Sequence, residues 1–198
     1  VSATPVVIAS GGANLASLCF ALERMGFTAP VTEDAATVRA ASHVILPGVG
    51  AARDAMERLA AAGLADVIRT LNQPVLGICL GMQLLFSASD EDDTACLDII
   101  PGRARRFADD TQLPVPQMGW NQLHPVGGSP LLRGIEDGSW AYFIHSFAIP
   151  VGPSTRATTD YGVSFSSVVE HGNFFGTQFH PERSAAVGAR ILANFLEL

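Results

Sequence analysis

Cys79 lies between two glycines in Gly77-Ile78-Cys79-Leu80-Gly81, directly after Pro74-Val75-Leu76 and directly before Met82-Gln83-Leu84-Leu85-Phe86. This order predicts a strand, a tight turn and a helix, with a thiol at the apex. A G-x-C-x-G turn has the geometry of a nucleophile elbow, in which glycines let strand and helix approach and a strained apex presents its side chain to a cleft. A helix opening just after the thiol aims free N–H groups at the sulfur. Such a placement can take a thiol pKa from ~8.5 into the range ~3.5–7.5. The ordinary alternative is a buried structural cysteine; the flanking glycines and the strand-to-helix switch weigh against it.

A nucleophile needs a base. Phe174-Phe175-Gly176-Thr177-Gln178-Phe179 reads as a buried strand running into His180-Pro181-Glu182. Residues two apart in extended backbone share a side, so His180 and Glu182 can face one another. Pro181 fixes its own φ and biases His180 toward extended geometry. A carboxylate beside imidazole selects its tautomer and stabilises the imidazolium. Cys79, His180 and Glu182 thus form a nucleophile, a base and an orienting acid. Taken singly, His180 reads as a strand-end histidine and Glu182 as a first-turn helix acid; the combination with Cys79 favours chemistry.

A third element is Pro47-Gly48-Val49-Gly50, between the apolar strand His43-Val44-Ile45-Leu46 and a helical stretch from Ala51 to Leu64. Backbone N–H groups of Gly48, Val49 and Gly50, with that of Leu80, are candidates to hold the oxyanion of a tetrahedral intermediate. An ordinary strand-to-helix loop is the alternative.

The elements that must position these groups alternate. Strand Pro5-Val6-Val7-Ile8, helix 14–25, strand 43–47, helix 51–70, strand 74–78 and helix 79–88 predict an α/β fold. Its expected form is a three-layer, doubly wound, mainly parallel sheet with a β-rich C-terminal half. Shorter strands follow from about Gly102: 103–107, 119–124, 140–149, 156–159 and 163–170. A final helix from Arg183 to Leu196 carries Val187, Ile191, Leu192 and Phe195 on one stripe. Residues 1–198 are expected to form a single domain, with the ligand crevice at the carboxyl ends of the parallel strands.

Composition sets limits. Hydrophobic residues are 48% and charged ones 16%, which suits a layered core with a rather apolar surface. The net charge of -7 argues against a nucleic-acid partner. Three cysteines suggest reduced thiols and a cytoplasmic setting, with Cys19 and Cys96 expected in packing roles. No apolar run nears the ~18 residues of a membrane span, and the start carries no signal-peptide pattern. Gly11-Gly12 lacks the context of a phosphate loop. No metal and no cofactor is expected.

The segments Leu46-Pro47-Gly48-Val49-Gly50, Gly77-Ile78-Cys79-Leu80-Gly81-Met82-Gln83-Leu84-Leu85, Met118-Gly119-Trp120-Asn121, Tyr142-Phe143-Ile144-His145-Ser146 and Gly176-Thr177-Gln178-Phe179-His180-Pro181-Glu182 together resemble the class I (triad) glutamine amidotransferases. More narrowly they are similar to the glutaminase subunits of imidazole glycerol phosphate synthase. The likeness spans nearly the whole chain, in order. It implies a flavodoxin-like fold and hydrolysis of glutamine to glutamate and ammonia by Cys79, His180 and Glu182. It also implies substrate contacts at Gln83, Glu91 and Ser146, and transfer of the ammonia to a cyclase subunit in a heterodimer of histidine biosynthesis. From the residues alone, Gln83 reads equally as a polar position on the elbow helix. Glu91 reads as part of a solvated run, Asp90-Glu91-Asp92-Asp93, and His145 as a satisfied structural histidine. A glutaminase for anthranilate or aminodeoxychorismate synthesis, and a catalytically weak partner-binding module, stay open as alternatives; Val49 in place of the usual proline tells against the former. Two departures from the subfamily pattern, Ala9-Ser10-Gly11-Gly12-Ala13 and Gln117, are expected to lie toward the partner.

Overall fold

The structure is a computed structural model that describes residues 3–9, 15–108 and 113–198. Most of the atypical 9–13 segment lies outside the described residues. The chain runs β1 (Pro5–Ile8), α1 (Leu15–Arg24), β2 (Val31–Thr32), α2 (Ala35–Ala40), β3 (His43–Gly48), α3 (Ala52–Ala61), α4 (Leu64–Arg69), β4 (Val75–Cys79) and α5 (Leu80–Leu84). It continues through β5 (Phe86–Ser89), β6 (Thr94–Ala95), β7 (Ile100–Arg106), β8 (Gln117–Pro125), β9 (Ser139–His145), β10 (Phe147–Ala148), β11 (Thr155–Tyr161), β12 (Val163–His171), β13 (Phe174–Thr177) and α6 (Ala185–Leu196).

Nine strands form one sheet in the order β2-β1-β3-β4-β13-β12-β11-β8-β9. From β2 to β13 every pairing is parallel; from β13 to β9 every pairing is antiparallel. The expected parallel sheet and β-rich half are therefore two ends of one sheet, and β13 is where they meet. Strand alternation feeds both faces. Val6, Ile8, Val44 and Leu46 pack beneath α2 to α5, whereas Val7, Ile45, Leu76 and Ile78 pack with Leu18, Leu22, Ile191 and Phe195 of α1 and α6. This makes the three layers.

Two predicted helices are shorter than expected. The 51–70 stretch divides into α3 and α4, with Ala62 and Gly63 between them. The 79–88 helix stops at Leu84, and Phe86 to Ser89 becomes a strand of a second sheet, β10-β7-β5-β6. Long-range pairing overrides the helical pattern here: Phe86 sits opposite Ile100 and Ser89 opposite Ala104, and Leu85 O accepts from the Ile100 N–H at 2.9 Å. Among the described residues no helix is long and apolar enough to cross a membrane.

Candidate active site

Three neighbouring parallel strands end at one place. Gly48 of β3 is in register with Cys79 of β4, and Thr177 of β13 is in register with Ile78. The chain leaving each strand brings Val49-Gly50, Leu80 and Gln178-Phe179-His180 to a common crevice at the carboxyl ends of the strands.

Cys79 has φ +53° and ψ −110°, a backbone state that costs a non-glycine residue about 1–3 kcal/mol. The neighbouring packing imposes it. A Cβ on Gly81 would lie 1.8 Å from the carbonyl oxygen of Leu46, so only glycine allows the first turn of α5 to cross β3 this closely. α5 itself spans only Leu80–Leu84. The thiol therefore owes its setting to side chains and carbonyls around it more than to a long helix. Its Sγ lies 3.7 Å from Ile144 O and 3.7 Å from Gln178 Nε2.

His180 Nδ1 lies 2.9 Å from Oε1 of Glu182, and both side chains are 3% exposed. The turn Pro181–Arg183 that joins them is fixed from two directions. His180 N–H donates to Tyr142 O at 3.0 Å, while Ser184 Oγ donates to His180 O at 2.7 Å and accepts from Tyr142 N–H at 2.9 Å. On the other side, a Cβ on Gly188 would fall 1.8 Å from Pro181 O, so α6 lies directly against the turn. Burial opposes a charge on His180. Hydrogen bonds and charge attraction from the Cys79 sulfur and the Glu182 carboxylate outweigh it and raise the imidazole to about 10.

His145, on β9, has the opposite character. Burial drives its pKa down to about 4, with His180 adding to the effect and the hydrogen bond to Phe147 O resisting it. Its Nδ1 lies 2.8 Å from that carbonyl, which can only accept, so Nδ1 carries the proton and Nε2 the lone pair. The ring packs against Phe107, Phe143 and Phe165. The expectation of a satisfied structural histidine holds at one nitrogen only: Nε2 is buried and has no hydrogen-bond partner among the described residues.

A cavity of about 450 Å³ collects Cys79, His180, Val49, Gly50, Leu80, Gln83, Glu91 and Ser146 in its lining, with His145 and Arg183. Glu182 stands outside that lining, behind His180. Gly48 closes β3 instead of belonging to a free loop, so the segment facing the cavity begins at Val49. Glu91 corrects the reading of a solvated acidic loop. It sits in a 3-10 turn, Glu91–Asp93, where its Oε2 accepts the Ala52 N–H at 2.8 Å and so caps α3, and its carbonyl accepts from Thr94 Oγ1 at 2.7 Å. Arg103 holds the flanking Asp90 and Asp93. Gln117 also differs from expectation. It is 3% exposed, in β8 opposite His145, and so does not face outward.

Gln178 is the site residue that the sequence reading missed. It is wholly buried, just beyond β13, with its Oε1 accepting from Gln83 Nε2 at 2.9 Å. Its only sequence signal was an amide between Thr177 and Phe179 in a run read as buried, a place where a polar group must find a partner.

Residues 8–198 match the model of a family described as glutamine amidotransferase class-I. The chain is 52% identical over 192 residues to the imidazole glycerol phosphate synthase subunit HisH of Xanthomonas axonopodis pv. citri (strain 306), covering 97% of this chain and 96% of that protein. It is 49% identical over 193 residues to the protein of the same name from Idiomarina loihiensis, covering 98% and 97%. Among solved structures, one described as a glutamine amidotransferase superposes with a TM-score of 0.76 at 20% identity, over 98% of this chain and 97% of that one. PurLQS from Thermotoga maritima superposes with a TM-score of 0.74 at 19% identity, over 100% and 99%.

Proposed function

Because the chain belongs to the class-I glutamine amidotransferase family, we propose that it is the glutamine-hydrolysing subunit of an imidazole glycerol phosphate synthase. The observation that carries this reading is the buried His180–Glu182 pair, 2.9 Å apart, in one site with a cysteine on a positive-φ elbow.

Glutamine enters the cavity with its side-chain amide at Cys79. The thiolate attacks the amide carbon, and the negative charge that develops on oxygen is met by the Leu80 N–H and by N–H groups of the Val49-Gly50 segment. His180, as imidazolium, gives its proton to the amide nitrogen; the C–N bond breaks, ammonia leaves and a thioester stays on Cys79. Neutral His180 then takes a proton from water, the hydroxide attacks the thioester, and glutamate departs as the thiolate reforms. Glu182 keeps the ring oriented and its charge compensated throughout. Glu91, Gln83 and Ser146 bind the rest of the substrate. Gln83 has both amide hydrogens engaged, toward Phe147 O at 2.8 Å and Gln178 Oε1 at 2.9 Å, so it offers the substrate an acceptor oxygen.

Ammonia released into neutral water becomes ammonium and loses its nucleophilicity, which is a reason to hand it directly to a partner. A cyclase subunit docking at β8 and β9 fits the surface. Met118, Trp120 and Trp140 are 62%, 50% and 52% exposed, and the register places them with Tyr142 on one face. Ile144, opposite Met118, already lines the cavity, so this apolar strip runs up to its mouth. β13 joins the two halves of the sheet, which supports treating the chain as one domain. The three free cysteines suit a reducing, cytoplasmic setting.

The test is glutamate release from glutamine by the chain alone, then with the cyclase subunit and an analogue of its ribonucleotide substrate, with Cys79→Ala as control. Stimulation by the partner that disappears in the variant is the expected result. Robust activity without the partner would make the chain an autonomous amidase.

A further inference from the structure

The orientation of Gln178 is determined, and the determination reaches the nucleophile. Phe147 O can only accept, so the amide of Gln83 must turn its NH2 toward it, at 2.8 Å. The second hydrogen of that NH2 then goes to Oε1 of Gln178, at 2.9 Å. With its oxygen so engaged, Gln178 turns its own NH2 to Cys79 Sγ, 3.7 Å away, a normal distance for the larger sulfur atom. The backbone is held too, since Gln178 N–H donates to Ser167 O at 2.9 Å.

We propose that Gln178 is a positioning residue for the nucleophile: locked by Gln83 and the Phe147 carbonyl, it donates an N–H to Cys79 and favours the thiolate over the thiol. The inference rests on the reading of Cys79 as nucleophile. Sγ lies between groups of opposite preference. Ile144 O, also 3.7 Å away, is an acceptor and suits a thiol hydrogen; the Gln178 amide is a donor and suits the ionised sulfur. Each donor in the row polarises the next, and wholly buried Gln178 has no water competing for its bonds. The other titratable groups around the sulfur are His180 with Glu182 behind it, His145, and Glu91 and Arg183 across the cavity. His180 supplies the compensating charge. Gln178 supplies a dipole that stays in place while His180 gives up and regains its proton. It therefore favours the ionised sulfur before attack and again when the thiolate leaves at deacylation beside a protonated His180.

The experiment is the pH dependence of Cys79 alkylation by iodoacetamide in the full chain, read peptide by peptide by mass spectrometry. Cys96 is pushed up to about 11 and Cys19 is also raised, both mainly by burial, so they react at higher pH. Gln178→Met removes the donor at similar length, and the midpoint should rise by about one unit, a tenfold loss of thiolate at a given pH. Gln178→Glu keeps the acceptor for Gln83 and replaces the donor with a carboxylate, so its midpoint should rise further. Gln83→Met frees the Gln178 amide from outside the thiol's contacts and should shift the midpoint in the same direction by less. A Gln178→Met chain that melts like the parent and has the parent's midpoint overturns the proposal. If that variant does not fold, an unchanged midpoint in Gln83→Met overturns it. A parent Cys79 that titrates as an ordinary thiol sinks the nucleophile reading and this inference with it, an outcome visible before any variant is made.

Discussion

His145 and His180 line one cavity and hold opposite protonation states. His145 is kept neutral by burial among aromatic rings, with its proton fixed on Nδ1 by Phe147 O. His180, also buried, is kept charged by Cys79 and Glu182. Each state supports the other. A charged His145 would repel the His180 imidazolium, and a charged His180 makes a second cation beside it unfavourable.

This pairing predicts how stability responds to pH. His145 has its folded pKa lowered from 6.5 to about 4, so its contribution is fully present above 6.5 and is lost as pH falls toward 4, where the unfolded chain binds the extra proton. His180 is raised from 6.5 to about 10, so its contribution is present below 6.5 and fades as pH rises through 10. Urea unfolding from pH 4 to pH 7 should show stability climbing with pH, and His145→Gln should flatten that slope.

Glu182→Gln keeps a hydrogen-bond acceptor near His180 Nδ1 but removes the charge. The turnover number for partner-stimulated glutamate release should fall by on the order of 10²–10⁴ with KM little changed. A rise in KM of similar size would mean that Glu182 binds substrate instead of serving the imidazole.

Gly81→Ala and Gly50→Ala should fail for different reasons. The first drives a methyl group into Leu46 O, which must part α5 from β3 and is expected to destabilise the chain by about 1–3 kcal/mol or more. The second meets nothing within 4 Å, but Gly50 has φ +92° and borders the cavity. Its melting temperature should fall through backbone strain alone, by less than in Gly81→Ala, while partner-stimulated activity drops. Unchanged stimulated activity in Gly50→Ala would remove the Val49-Gly50 segment from the mechanism.

Trp120→Ala should leave the fold and the alkylation of Cys79 intact, because the indole stands half exposed on β8 and touches the core little. Association with the cyclase, measured by calorimetry, should weaken by about 2 kcal/mol, or roughly thirtyfold. Full retention of affinity would place the docking surface elsewhere.

Much of the site was legible because its signals are local. The glycines around Cys79 and the two-residue spacing of His180 and Glu182 encode their own geometry, and the structure brings all three residues to one site. What escaped depends on contacts between distant segments. Glu91 looked solvated because its bond to the Ala52 N–H joins residues 39 positions apart. Gln178 looked like one more position of a buried strand because its partners, Gln83 and Cys79, lie 95 and 99 residues away. The strand at Phe86 looked helical because Ile100 and Ala104, which pair with β5, carry no local mark. The inner position of Gln117 follows from β8 pairing with β9, which the 117–121 segment alone does not reveal.

The place of β13 between β4 and β12 bears on how the molecule is made. On a ribosome, β1, β3 and β4 emerge early, yet β4 can find its other neighbour only after Phe174 has been synthesised. Until then β4 offers an open edge of unpaired backbone N–H and C=O groups, flanked by apolar side chains, at the heart of the future sheet, the kind of surface on which chains misassociate. The same delay withholds the proposed base. A partly made chain has its thiol but neither His180 nor Gln178 beside it, so the proposed triad is complete only when the last central strand closes the sheet.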